Sequence, residues 1–206
     1  MKYYLSSYKL GNKPEQLKEL FFAGKKVGFI PNACDHVRED KEAREGHIGR
    51  NIERLNALWL QTSLIDLKEF FGKEAELREV INQLNWVFVL GWDVFVLRHA
   101  MHLSWFDTII KEKTKDPFFV YAWYSAACCV LAPSLDAYKI VDDPKRNPYN
   151  DDPTIWEWLN LYPNVILPHY KSDHPESALI DKEVSYCIEH GIMFETMKDG
   201  EVIIID

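Results

Sequence analysis

Ser125 and His169 are the residues whose neighbours best equip them to do chemistry together. The apolar run Phe118–Trp123 leads into Tyr124-Ser125-Ala126-Ala127 and then into an apolar segment, Cys128 to Leu131. A serine at such a strand-to-helix turn has its hydroxyl lifted out of the sheet, beside helix N–H groups that favour developing negative charge. The same placement suits a plain helix N-cap, a role that serine fills well. His169 closes a second apolar run, Ile166-Leu167-Pro168-His169, and a polar loop follows from Lys171 to Ser177. A histidine at one strand's carboxyl end can take a proton from a serine at the end of a neighbouring strand. His169, His174 and Asp173 could instead ligate a metal, but no i,i+4 histidine pair supports that. No metal and no organic cofactor is therefore expected. Cys34, Cys128, Cys129 and Cys187 show no CxxC spacing and read as buried free thiols.

The elements that must position these residues are short β-rich runs alternating with helical ones. Strands are expected at Tyr3–Ser7, Lys26–Pro31, Leu64–Leu67, Trp86–Leu90 and Phe118–Trp123. Helices are expected at Pro14–Phe22, Arg38–Leu60 and Glu74–Gln83, from Phe95 to Met101, and from Ala178 onward, on apolar residues at helical spacing. Apolar runs without alternation are what parallel strands buried on both faces look like. The expected fold is therefore a single α/β domain over residues 1–206, a mostly parallel, doubly wound sheet with helices on both faces. Ligands collect at the carboxyl ends of such strands, here the loops 32–36, 91–94, 124–129 and 168–176. The Asp-, Asn- and Pro-rich stretch 142–154 reads as a surface excursion.

Composition excludes several function classes. Of 206 residues, 47% are hydrophobic and 27% charged, ordinary values for a globular domain. A net charge of −8 argues against nonspecific binding of nucleic acid or anionic membranes. No apolar run approaches the roughly 20 residues of a membrane span, and no basic n-region opens the chain. A cytoplasmic protein is expected, a monomer or homodimer.

The order of elements and the segments YYLSSYKLG, VGFIPNACD, IDLKEFFGK, GWDVFVLRHAM, YSAACCVLAPSL, VDDPKRNPY, LPHYKSDHPES and DGEVIIID resemble the peptidase E family over nearly the whole chain. That family shares a flavodoxin-like fold with class I glutamine amidotransferases. The resemblance implies a serine peptidase with Ser125 as nucleophile, His169 as general base and Asp142 as the acid orienting the histidine, with Asp143 or Glu157 as competitors. It also implies an oxyanion and substrate-binding region at Gly91, Trp92, Asp93 and Ala126. Well-known members prefer a dipeptide with an N-terminal aspartate, selected by an arginine shortly after the histidine. This chain has no arginine after Arg146, and Lys171 is not its geometric equivalent.

The chain departs from the family pattern at glycines. Gly-Gly-Asn is replaced by Gly91-Trp92-Asp93, and Gly-Gly-Tyr-Ser-Ala-Gly by Ala122-Trp123-Tyr124-Ser125-Ala126-Ala127; Trp59, Trp105 and Trp158 also stand at expected glycines. Glycine permits positive φ and close backbone approach, so an indole there adds bulk beside the nucleophile. Divergence within the family and deliberate engineering both account for such a pattern. A second reading therefore stands beside the peptidase: an impaired scaffold binding a small apolar or aromatic ligand between Trp92 and Trp123. An amidotransferase-like role is disfavoured, because the nucleophile position holds serine and Cys128 lies three residues late.

Overall fold

The computed structural model describes residues 1–20, 24–37, 41–150 and 152–205. Its centre is a six-stranded sheet of β1 (Lys2–Ser6), β2 (Lys26–Ile30), β3 (Gln61–Leu64), β4 (Trp86–Val89), β5 (Val120–Tyr124) and β8 (Val202–Ile205), in the order β3-β2-β4-β5-β1-β8. All neighbours run parallel except β8, which lies antiparallel to β1. A separate parallel pair, β6 (Val165–Leu167) and β7 (Phe194–Thr196), carries the chain towards His169.

The sheet is buried on both sides, as unalternated apolar strands require. Tyr3, Leu5, Val87 and Val89 face one core, with α3 (Glu74–Asn82), α4 (Val94–Leu103), α5 (Phe106–Lys113), α6 (Ala126–Cys129) and α7 (Ser177–Glu189). Tyr4, Trp86 and Phe88 face the other, against Leu17 of α1 (Pro14–Glu19) and Ile48 and Leu55 of α2 (Lys41–Ala57). The doubly wound, mostly parallel α/β architecture expected from the sequence is thus the one observed. No helix among the described residues is long and apolar enough to cross a membrane.

Local differences have local causes. The third strand lies at Gln61–Leu64 rather than 64–67, because Asp66 accepts from Lys68 N (3.0 Å) and turns Leu67–Phe70 into a 3₁₀ helix. Helix α5 was not anticipated. Phe21 and Phe22 of the expected first helix, and Arg38 at the start of the second, lie outside the described residues.

Candidate active site

The ends of β4 and β5, the loop after β6 and the turn between β7 and β8 converge on one cleft. Its volume is about 360 Å³, and it is lined by Tyr8, His47, Gly91, Trp92, Tyr124, Ser125, His169, His174, Pro175 and Glu176. Three of the four predicted ligand loops meet there. The fourth, 32–36, instead carries a buried polar knot in which Asp35 accepts from Lys68 Nζ (3.2 Å) and Tyr149 Oη (2.8 Å) and pairs with Arg44.

Ser125 ends β5 with φ 54° and ψ −123°, a conformation that L-residues seldom adopt. Its carbonyl accepts from Cys128 N (2.8 Å) and Cys129 N (3.1 Å), so the chain turns at once into α6. Its hydroxyl makes no capping bond, so Ser125 occupies the N-cap position without serving as a side-chain cap. The strained turn aims the hydroxyl at the cleft. Ala126 opens α6, so its N–H has no intrahelical acceptor and faces the turn. On the other side, a Cβ on Gly91 would lie 2.4 Å from Tyr124 O and 2.8 Å from Ser125 Cβ. Only glycine lets the β4–α4 loop pass this close to Ser125, and that approach sets the Trp92 peptide beside it.

His169 is buried and also has positive φ (62°). Its N–H donates to Ser7 Oγ (2.8 Å) and its Nδ1 pairs with Asp199 Oδ1 (2.7 Å). Ser7 Oγ in turn donates to Asp199 Oδ1 (3.0 Å), and Asp199 N donates to Ser172 Oγ (2.7 Å). The carboxylate is thereby held against the imidazole, leaving Nε2 for the cleft. Burial pushes the His169 pKa below the ordinary value, the neighbouring His174 pushes it further, and Asp199 opposes both. A neutral imidazole at neutral pH is the form a general base needs.

The carboxylate that meets His169 is not one of those the sequence suggests. Asp142 makes no contact with His169; its Oδ2 accepts from Val94 N (2.9 Å) at the start of α4. Its carboxyl pKa is raised by burial and by the charge of Asp93. Asp143 accepts from Lys145 N (3.0 Å), and Glu157 uses its backbone carbonyl to hold Arg98 Nε (2.6 Å). The residue in the orienting position is Asp199, thirty positions after the histidine. The one local signal was Asp199-Gly200, a turn dipeptide between the last two strands.

Asp93 does not line the cleft either. Its Oδ1 caps α4 through Phe95 N and Val96 N (both 2.9 Å), and its Oδ2 pairs with Arg146 Nη1 (2.8 Å). It shapes the Gly91–Trp92 loop from behind. Trp92 is half-exposed over the cleft with its ring edge-on to His47. Trp123 is fully buried among Phe29, Phe88 and Tyr124, its Nε1 donating to Lys9 O (2.7 Å). A ligand sandwich between Trp92 and Trp123 is therefore not formed. The four cysteines are free and buried, and burial raises each of their pKa values.

For a metal, His169, His174 and Glu176 bring ligand atoms within 4.8 Å of one another, whereas Asp173 does not join them. The two imidazoles stack in parallel, 3.7 Å apart with 9° between planes, so their lone pairs run side by side instead of converging. His169 Nδ1 is occupied by Asp199, and His174 Nδ1 receives Glu176 N–H (3.3 Å).

Residues 7–205 match the model of peptidase family S51. The chain belongs to that family. Among solved structures, this S51 peptidase is similar to a peptidase E candidate from Listeria monocytogenes EGD-e, with a TM-score of 0.75 and 22% identity, over 99% of this chain and 93% of that one. It is also similar to a peptidase from an acI-B1 Actinobacterium, with a TM-score of 0.52 and 16% identity, over 89% of this chain and 74% of that one. Both likenesses concern the fold. No curated protein matches the chain.

Proposed function

We propose that this S51 peptidase cleaves short peptides by nucleophilic catalysis, with Ser125 as nucleophile, His169 as general base and Asp199 as the residue orienting the imidazole. Ser125 Oγ attacks the scissile carbonyl carbon while its proton passes to His169 Nε2. The resulting oxyanion takes hydrogen bonds from the N–H groups of Trp92 and Ala126. Collapse of the intermediate breaks the C–N bond as His169 returns the proton to the leaving amine. Water then repeats the sequence on the acyl-enzyme. The observation that carries this reading is the strained serine on its turn, lining the same cleft as a buried histidine whose Nδ1 is held by a carboxylate at 2.7 Å. The cleft volume lies at the small end of ligand pockets, which supports a dipeptidase-like preference. Four unpaired thiols support a reducing, cytoplasmic setting.

A fluorophosphonate probe tests the reading. Covalent labelling of the folded chain that vanishes in Ser125→Ala is expected, as is loss of peptide hydrolysis in the same variant. A folded protein that neither labels nor cleaves peptides would leave the cleft as a binding site only.

A further inference from the structure

Three of the seven tryptophans stand where the backbone asks for glycine. Trp59 has φ 67°, Trp105 φ 64° and Trp123 φ 151°. A bulky L-residue at positive φ is an outlier, because its Cβ crowds the backbone, whereas glycine adopts these values freely.

The end of α2 shows the mismatch most plainly. Trp59 N bonds to Asn56 O (2.9 Å) and Leu60 N to Leu55 O (3.4 Å), the paired bonds of a left-handed helix C-cap. Helix α7 ends with the same pair, Gly191 N to Ile188 O (3.3 Å) and Ile192 N to Cys187 O (2.9 Å), at φ 64°, and there the chain uses glycine. The Trp59 ring is 80% exposed and that of Trp105 48%, so neither gains much packing to offset its backbone. Trp86 and Trp156 behave differently. Trp86 is a buried strand residue whose Nε1 donates to Gly24 O (2.7 Å), and Trp156 packs edge-on against Phe95. Neither has positive φ.

Composition points the same way. Nine glycines in 206 residues fall below the usual share of about 7%. Transferring to them the three tryptophans at 59, 105 and 123 gives twelve in 206, about 6%, and leaves four tryptophans.

We propose that positions 59, 105 and 123 are glycine when the gene is expressed in its own cell. One codon, UGA, is read as tryptophan in some genetic codes and as glycine in another. Decoding a glycine-reading gene under the wrong code writes tryptophan at every such codon and leaves genuine UGG tryptophans untouched. The change reaches the cleft at one place. At 123 it frees the strand end that sets the nucleophile turn. The argument rests on backbone conformation and composition, and stands whether or not the proposed catalytic roles hold.

The codons decide it. UGA at 59, 105 and 123 with UGG at 86 and 156 is expected. UGG at 59, 105 or 123 overturns the proposal, and UGA at all seven would equally defeat it, since backbone conformation would then not distinguish the two sets. Peptide mass spectrometry on the protein isolated from its source cells is the second reading: glycine at these positions is expected, and tryptophan overturns it. In the chain as it stands, Trp59→Gly should raise the folded-to-unfolded ratio about fivefold, the relief of the left-handed strain less the entropy that glycine loses on folding. A lower ratio would defeat the helix-end argument.

Discussion

Replacing Asp199 with asparagine separates the carboxylate that touches His169 from the one the sequence favoured. The substitution keeps the shape of the side chain and its acceptor for Ser7 but removes the negative charge at 2.7 Å from Nδ1. During attack His169 becomes an imidazolium, and the Asp199 charge stabilises it. The Asp199 side chain is 23% exposed, so a solvated interaction strength is appropriate, about 2–4 kcal/mol across such a pair. That corresponds to a loss of about 30- to 1,000-fold in kcat/KM, and more if the wrong imidazole tautomer becomes populated. The assay is the rate of fluorophosphonate labelling and of peptide hydrolysis as a function of pH. Activity falls as pH drops through the His169 pKa, since only the neutral ring accepts a proton, and that pKa already lies below the ordinary histidine value. Asp199 is the group holding it up, so Asp199→Asn should move the acidic limb to still lower pH while the plateau falls. Asp142→Asn retains an oxygen acceptor for Val94 N and should change the rate by less than about threefold. A normal plateau in Asp199→Asn together with a collapse in Asp142→Asn would refute the assignment.

Two further perturbations follow from the packing and the buried charge. Gly91→Ala sets a Cβ 2.4 Å from Tyr124 O and 2.8 Å from Ser125 Cβ, so it should cost about 1–3 kcal/mol in thermal unfolding and about 10² in labelling rate as the turn shifts; a variant with unchanged rate would show that the loop yields instead. Glu183 is buried with one oxygen unpartnered, and burial, followed by the charges of Asp142 and Glu176, pushes its pKa up to about 9. Its folded pKa lies above the unfolded one, so its contribution is complete below about pH 4.5 and is lost as pH rises towards 9. Glu183→Gln should therefore gain in Tm over the parent chain as pH is raised from 5 to 8.5, by a few degrees at the upper end. A gap in Tm that does not change with pH would rule that out.

What local sequence carries is visible in the strands and in the two central side chains. Unalternated runs such as Trp86–Val89 and Val120–Tyr124 announce buried parallel strands, because every residue in them must be apolar. Ser125 and His169 stand out in the sequence because each follows such a run, at the strand ends where this fold collects ligands. Asp199 could not, since nothing near it in the chain refers to a histidine thirty residues earlier; only the pairing of β6 with β7 and of β8 with β1 brings the turn between them against the imidazole. Asp142 and Asp93 looked suitable by type and position, yet both spend their carboxylates on the exposed N–H groups at the start of α4. Tertiary structure also divided the tryptophans. Residue type alone makes Trp92 and Trp123 equivalent candidates for a ligand wall, but β5 turns Trp123 into the core, whereas Trp92 lies in the loop after β4, over the cleft. The φ angles at Trp59, Trp105 and Trp123 belong to the fold as well, because a left-handed residue is imposed by the helix end or strand end around it and leaves no mark on the side chain that happens to occupy it.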